Sequence, residues 1–385
     1  MNRSRPVWTS PLRAGSLVAL TAVVAAVISA LSAIGATPAE ANGGRGWKTS
    51  TTQAPTTTTT PTTTAPPTTT IAPTTTTVPP TTTTTVAAAT TTTTSPPATG
   101  AAKTVLFGAV TDTMAQLDTF EASAGKKVGL YGYYASFAFN ANFDAAAAGA
   151  IRARGAQPMV TWEPWDPTSG SASQPSYSLA KIVNGSFDAY ITRWATQIKA
   201  SGQPLWLRFA HEMNGNWYPW AEGVNGNTSG QYVAAWRHVH DIFTQVGAKN
   251  VTWVWTPNVI MGNTPTLASL YPGDAYVDWI GVDGYNWGTT QSWGSTWQTF
   301  DQVFGPTLAS LQQISAKPIV IAEMASTEVG GDKAAWIRQF FASIASQPRI
   351  KAFIWFNLKK ETDWRIESSA AAKAAFAAGI ADPRY

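Results

Sequence analysis

Two glutamates stand just past the ends of short apolar runs, Glu212 after 204–209 and Glu323 after 318–322. A pair of carboxyls converging on one bond suits hydrolysis of a glycosidic linkage. One acid protonates the leaving oxygen while the other stabilises or attacks the developing oxocarbenium carbon. Their environments must differ, because like charges in a partly dry site push one pKa up and leave the other low. Glu212, beside His211 and a Trp-rich loop, suits the protonated acid, and Glu323, followed by small residues, suits the ionised nucleophile. Tyr285 is a candidate donor that holds Glu323 charged and oriented. Retention of configuration calls for carboxyls about 5–5.5 Å apart, whereas a gap near 9 Å points to inversion.

Tryptophan is the second chemical signal, with 18 in 385 residues. Trp162, Trp165, Trp217, Trp220, Trp287 and Trp355 all fall at or just beyond the ends of apolar runs. Sugar rings present flat C–H faces that indole planes match in area and shape. These tryptophans, with Glu163 among them, are therefore expected around a binding cleft. Trp194, Trp236 and Trp336 lie in helical stretches, and Trp206, Trp253 and Trp279 lie within strands. Packing is the expected role of those six.

Other chemistries lack their parts. His211-Glu212 has no second His at zincin spacing, and His238 and His240, two apart on a helix, cannot share a face. With three His and no Cys, neither a catalytic zinc site nor a thiolate nucleophile is expected. No G-x-S-x-G elbow exists, and Gly330-Gly331-Asp332-Lys333 lacks phosphate-loop spacing. Asp112, Asp144 and Asp301 read as caps or surface charges. No metal and no cofactor is expected.

The elements that must carry these groups are eight apolar runs, at 105–111, 128–135, 157–162, 204–209, 250–255, 277–282, 318–322 and 352–356. Several are continuous rather than alternating, as strands buried on both faces of a parallel sheet are. Helical stretches at 143–154, 232–246 and 336–345 fall between them. Strand and helix in alternation predict an α/β fold, a (β/α)8 TIM barrel, with chemistry at the C-terminal ends of the strands. An open doubly wound sheet fits less well, because no Gly-rich phosphate loop follows the first run.

Ahead of this domain, three arginines precede an uncharged apolar run at 14–36 and a small-x-small pattern at 39–41. That pattern predicts a cleaved export signal over 1–41. Residues 42–100 are mostly Thr, Pro and Ala, a composition that cannot offset the entropy of ordering and predicts a disordered linker. The formal charge is +4, yet Lys/Arg and Asp/Glu balance from Ala101 onward, so the surplus belongs to the leader. An electrostatic nucleic-acid surface is not expected.

Trp206 to Trp220, WLRFAHEMNGNWYPW, resembles the acid/base signature of glycoside hydrolase family 26, and the likeness extends over 101–385. The resemblance implies a (β/α)8 barrel and a retaining double displacement, with Glu212 as acid/base and Glu323 as nucleophile. It further implies that His211 sits beside the acid and Tyr285 orients the nucleophile. Trp355 becomes the platform under the sugar, and Trp162 and Trp217 line the cleft. The family is dominated by endo-β-1,4-mannanases and includes mixed-linkage β-glucanases, to which the Asn-Trp-Tyr-Pro-Trp form is closer. The expectation is a secreted monomeric endo-β-glycanase. Its expected substrate is a β-linked plant polysaccharide, mannan first and mixed-linkage glucan second, with no membrane attachment after signal cleavage. A non-catalytic carbohydrate-binding barrel is the rival.

Overall fold

The computed structural model describes residues 105–262 and 265–385. The expected export signal and linker lie outside them. Eight strands form the frame: β1 (Leu106–Val110), β2 (Leu130–Ser136), β3 (Gln157–Glu163), β4 (Leu205–Phe209), β5 (Val251–Trp255), β6 (Trp279–Asn286), β7 (Ile319–Ser326) and β8 (Ile350–Phe356). Each pairs in parallel with the next, and β1 pairs with β8 to close the barrel.

Helices run between the strands. They are α1 (Met114–Ala124), α2 (Ala145–Ala153), α3 (Leu179–Val183), α4 (Asp188–Ser201), α5 (Gln231–Val246), α6 (Leu267–Leu270), α7 (Phe300–Ile314), α8 (Lys333–Ala345) and α9 (Ala370–Ile380). Their starts are set by local chemistry. Asp144 accepts from the Ala147 N–H, Asp332 accepts from that of Ala335, and Thr299 forms a capping box with Gln302. Among the described residues, no helix is long and apolar enough to cross a membrane.

Strand residues alternate between the lumen and the helix layer. On β3, the Thr161 hydroxyl accepts from Arg208 of β4 inside the barrel, so Trp162 must face outward. It stacks on Trp194 of α4 with ring centres 4.6 Å apart. The barrel agrees with the sequence reading strand for strand. β6 and β7, however, end at Asn286 and Ser326 rather than at 282 and 322. Their apolar runs stop earlier because Asp283 and Glu323 enter the lumen, where Arg208 pairs with both carboxyls.

The register is irregular there as well. Pairing of β6 with β7 shifts between Val282 and Asp283, and pairing of β7 with β8 shifts between Ile321 and Met324. Such irregularities re-aim side chains, and Glu323 sits within this one.

Candidate active site

β4 ends in a chain path that few side chains adopt willingly. Ala210 and Glu212 both have left-handed backbone, φ 44° and 52°, on either side of His211. The turn is held from outside, since the Glu212 N–H donates to the Thr256 carbonyl at 2.7 Å and Trp220 Nε1 donates to the His211 carbonyl at 2.6 Å. Gly215 lets the loop close, because a Cβ there would lie 2.5 Å from the Trp217 ring. Trp217 can therefore fold back and donate from Nε1 to Glu212 Oε2 at 2.7 Å.

The other oxygen of Glu212 accepts from Asn258 Nδ2 at 2.8 Å. Asn258 is fixed in turn by reciprocal bonds with Asn214. Burial, and then the charge of Glu323, push the Glu212 carboxyl up to about 7, against the pull of the bonds from Asn258 and Trp217. At neutral pH a substantial fraction of Glu212 holds a proton.

Glu323 is surrounded differently. Its Oε1 accepts from Tyr134 at 2.5 Å and from Arg208 Nη2, and its Oε2 accepts from Tyr285 at 2.6 Å. Burial and the neighbouring Glu323 raise both phenols well above their ordinary range, so they remain donors. Arg208 also pairs with Asp283 at 2.5 Å. Burial alone would lower its pKa, but Asp283 and Glu323 hold it well above the usual value. His211, Asp283 and Glu323 bring ligand-type atoms within 4.8 Å of one another. The positive charge at that spot is the guanidinium itself.

Glu212, Glu323, His211, Tyr285 and Trp287, all expected at the site, line one pocket together with Tyr134, Tyr218, Phe356 and Trp364. His211 is buried, which with nearby Arg208 drives its pKa well below the ordinary value and leaves the ring neutral. Trp217 covers Glu212 from the side.

Five expectations are corrected, the first being Trp165, which is fully buried and packs edge-on against Tyr218 and Trp220 instead of lining the pocket. Trp162 belongs to the barrel–helix packing layer, and Trp355, also fully buried, packs on Trp336 and Phe376. Trp220 lies beneath the pocket wall, stacked on Tyr218 at 4.3 Å. Glu163 is fully buried with neither carboxylate oxygen hydrogen-bonded among the described residues, and burial pushes its pKa up to about 8.

Trp364, itself only 1% exposed, borders the pocket where Trp355 was expected to, and Trp355 Nε1 holds its loop by donating to the Trp364 carbonyl at 3.0 Å. Arg208, Tyr134, Asp283 and Asn258 were missed. Arg208 carried a signal, a lone charge inside an apolar strand. Asn258 and Trp364 lie in loops and carried none.

This arrangement can deliver a proton from one carboxyl while presenting the other, oriented by three donors, to an electrophilic carbon. A family model described as glycosyl hydrolase family 26 matches residues 160–339. Endoglucanase H of Acetivibrio thermocellus is 45% identical over 268 residues, covering 69% of this chain and 29% of that protein. A mannan endo-1,4-beta-mannosidase of Bacillus subtilis is 30% identical over 125 residues, 31% of each chain. The chain thus spans less than a third of the length of either relative. The solved catalytic domain of an endo-beta-1,4-mannanase from a Bacillus species shares the fold, with a TM-score of 0.57 at 17% identity, covering 73% of this chain and 87% of that one.

Proposed function

The chain belongs to glycosyl hydrolase family 26, and from that premise we propose that it is an exported, endo-acting β-glycanase that retains anomeric configuration. Glu212 is the acid/base and Glu323 the nucleophile. In the first step, the Glu212 proton passes to the glycosidic oxygen as that bond breaks, and a Glu323 oxygen bonds to the anomeric carbon. Water then attacks the same carbon, gives its proton to Glu212 and releases Glu323. The observation that carries this reading is the contrast between two carboxyls in one pocket. Glu212 is raised to about 7 by burial and charge, and Glu323 accepts from two phenols and a guanidinium.

For the sugar, the identity with endoglucanase H, 45% over 69% of the chain, supports a β-glucan, with mixed linkage as the form to test first. β-1,4-mannan, expected first from sequence, is the second reading. Relatives named as mannan endo-1,4-beta-mannosidases support it over shorter stretches, 35% over 95 residues in one case.

The test is reducing-sugar release from barley β-glucan, glucomannan and galactomannan, with the anomer of the first product read by NMR. β-product from at least one polymer is expected. α-product sinks retention, and no release from any of the three sinks the enzyme reading.

A further inference from the structure

The loop after β8 brings two charged residues into the pocket that neither the apolar pattern nor the resemblance singles out. Lys360 and Glu361 both line it beside Trp364. The turn that carries them is tight, with a bridge between Lys359 and Asp363 and a Lys360 N–H bond to the Thr362 carbonyl at 2.8 Å.

Both oxygens of Glu361 are committed. Oε1 meets Lys360 Nζ at 2.5 Å, and Oε2 accepts from Trp364 Nε1 at 3.0 Å. Lys360 is not committed. An ammonium has three donors, and among the described residues Glu361 is its one ion-pair partner. Its side chain is only 17% exposed, so water satisfies the remaining N–H groups poorly. Burial lowers its pKa to about 8 while Glu361, Glu323 and Glu212 pull it up, so it is charged at neutral pH.

We propose that Lys360 is a substrate-binding residue, donating to a hydroxyl of the sugar seated against Trp364, with Glu361 as the positioning residue that aims both the ammonium and the indole. This rests on the glycanase reading above. A fixed ammonium beside a flat indole selects a ring by its face and by the direction of one hydroxyl, which is how glucose and mannose units differ.

The experiment compares kcat and KM of the full-length wild type and Lys360→Met on an aryl β-oligoglycoside and on a series of its monodeoxy analogues. Lys360→Met should lose about 10- to 100-fold in kcat/KM on the intact substrate, the usual weight of a charge-assisted hydrogen bond. The loss should vanish for the one analogue that lacks the hydroxyl Lys360 meets. Glu361→Gln keeps an acceptor for Trp364 but frees the ammonium, so it should show a smaller loss with the same analogue pattern. An equal loss on every analogue marks a merely structural role and overturns the proposal, as does no loss at all. A wild type that cleaves no β-linked substrate overturns the glycanase reading and this inference with it. An active wild type matched by Lys360→Met overturns this inference alone.

Discussion

Each functional carboxyl is defined by the groups that touch it, and removing one neighbour should move a measurable property in a set direction. Trp217 Nε1 stabilises the ionised form of Glu212. In Trp217→Phe that support is gone, so the pKa rises and the acid stays protonated to higher pH. With Glu212 as the proposed acid, the alkaline limb of kcat/KM is expected near pH 7 in the wild type and up to about one unit higher in the variant. Turnover at the optimum should fall roughly 10-fold. A pH–rate series on one soluble substrate checks both.

Glu163 allows a test on stability. Its folded pKa, about 8, lies above the ordinary 4.5 because of burial. Between those values the folded chain keeps a proton that the unfolded chain releases. Stability is therefore full below about pH 4.5 and is lost as pH rises toward 8. Glutamine does not titrate. Glu163→Gln should melt with the wild type at pH 4 and above it by roughly 5 °C at pH 8. Thermal melts at the two pH values give the answer, and a gap independent of pH would show that Glu163 carries no buried proton.

The loops past the strand ends turn a generic barrel into this pocket, and their supports lie outside the pocket. Lys333, at the start of α8, is fully buried and donates to the carbonyls of Asp363 and Arg365 and to the Ser368 hydroxyl at 2.7–3.1 Å. It anchors the loop that carries Trp364. Lys333→Met leaves those acceptors unpaired, so the melting temperature should drop by several degrees. KM should rise about 5-fold or more with a smaller change in kcat, and steady-state kinetics beside a melt would show it.

The elements were largely legible in the sequence, because eight apolar runs, several of them continuous, alternate with helical stretches and leave few alternatives to a parallel barrel. The tryptophans were less so. A position near a strand end does not say which face a side chain takes, and strand parity turns Trp162 and Trp355 outward. Parity also accounts for the two strands that run longer than expected. Their apolar runs break at Asp283 and Glu323, which face Arg208 in the lumen, a pairing hydropathy alone cannot reveal. Loop residues such as Asn258 and Trp364 were illegible, since their places depend on contacts distant in the chain.

At the scale of the molecule, closure removes every sheet edge, and the eight strands and every pocket-lining residue among those described fall within 105–385. The two ends of this region meet where the Val105 N–H donates to the Arg384 carbonyl at 3.0 Å. A chain beginning at Ala101 should therefore keep kcat/KM on soluble oligosaccharides within about 2-fold of the full chain, a difference of only a few tenths of a kcal/mol. Assaying the two side by side tests it, and a larger loss would give the N-terminal segment a part in turnover.

One guanidinium has wider reach. Arg208, Asp283 and Glu323 come from three different staves and meet in the lumen. During folding, a ring not yet sealed would leave a naked cation in oil or an acid without its escort. The arrangement penalises any barrel in which β4, β6 and β7 have not yet come together, and Glu323 gains its escort only when they do. The same three side chains that hold the carboxylate in place thus also report, by their pairing, that three separate parts of the chain have found one another.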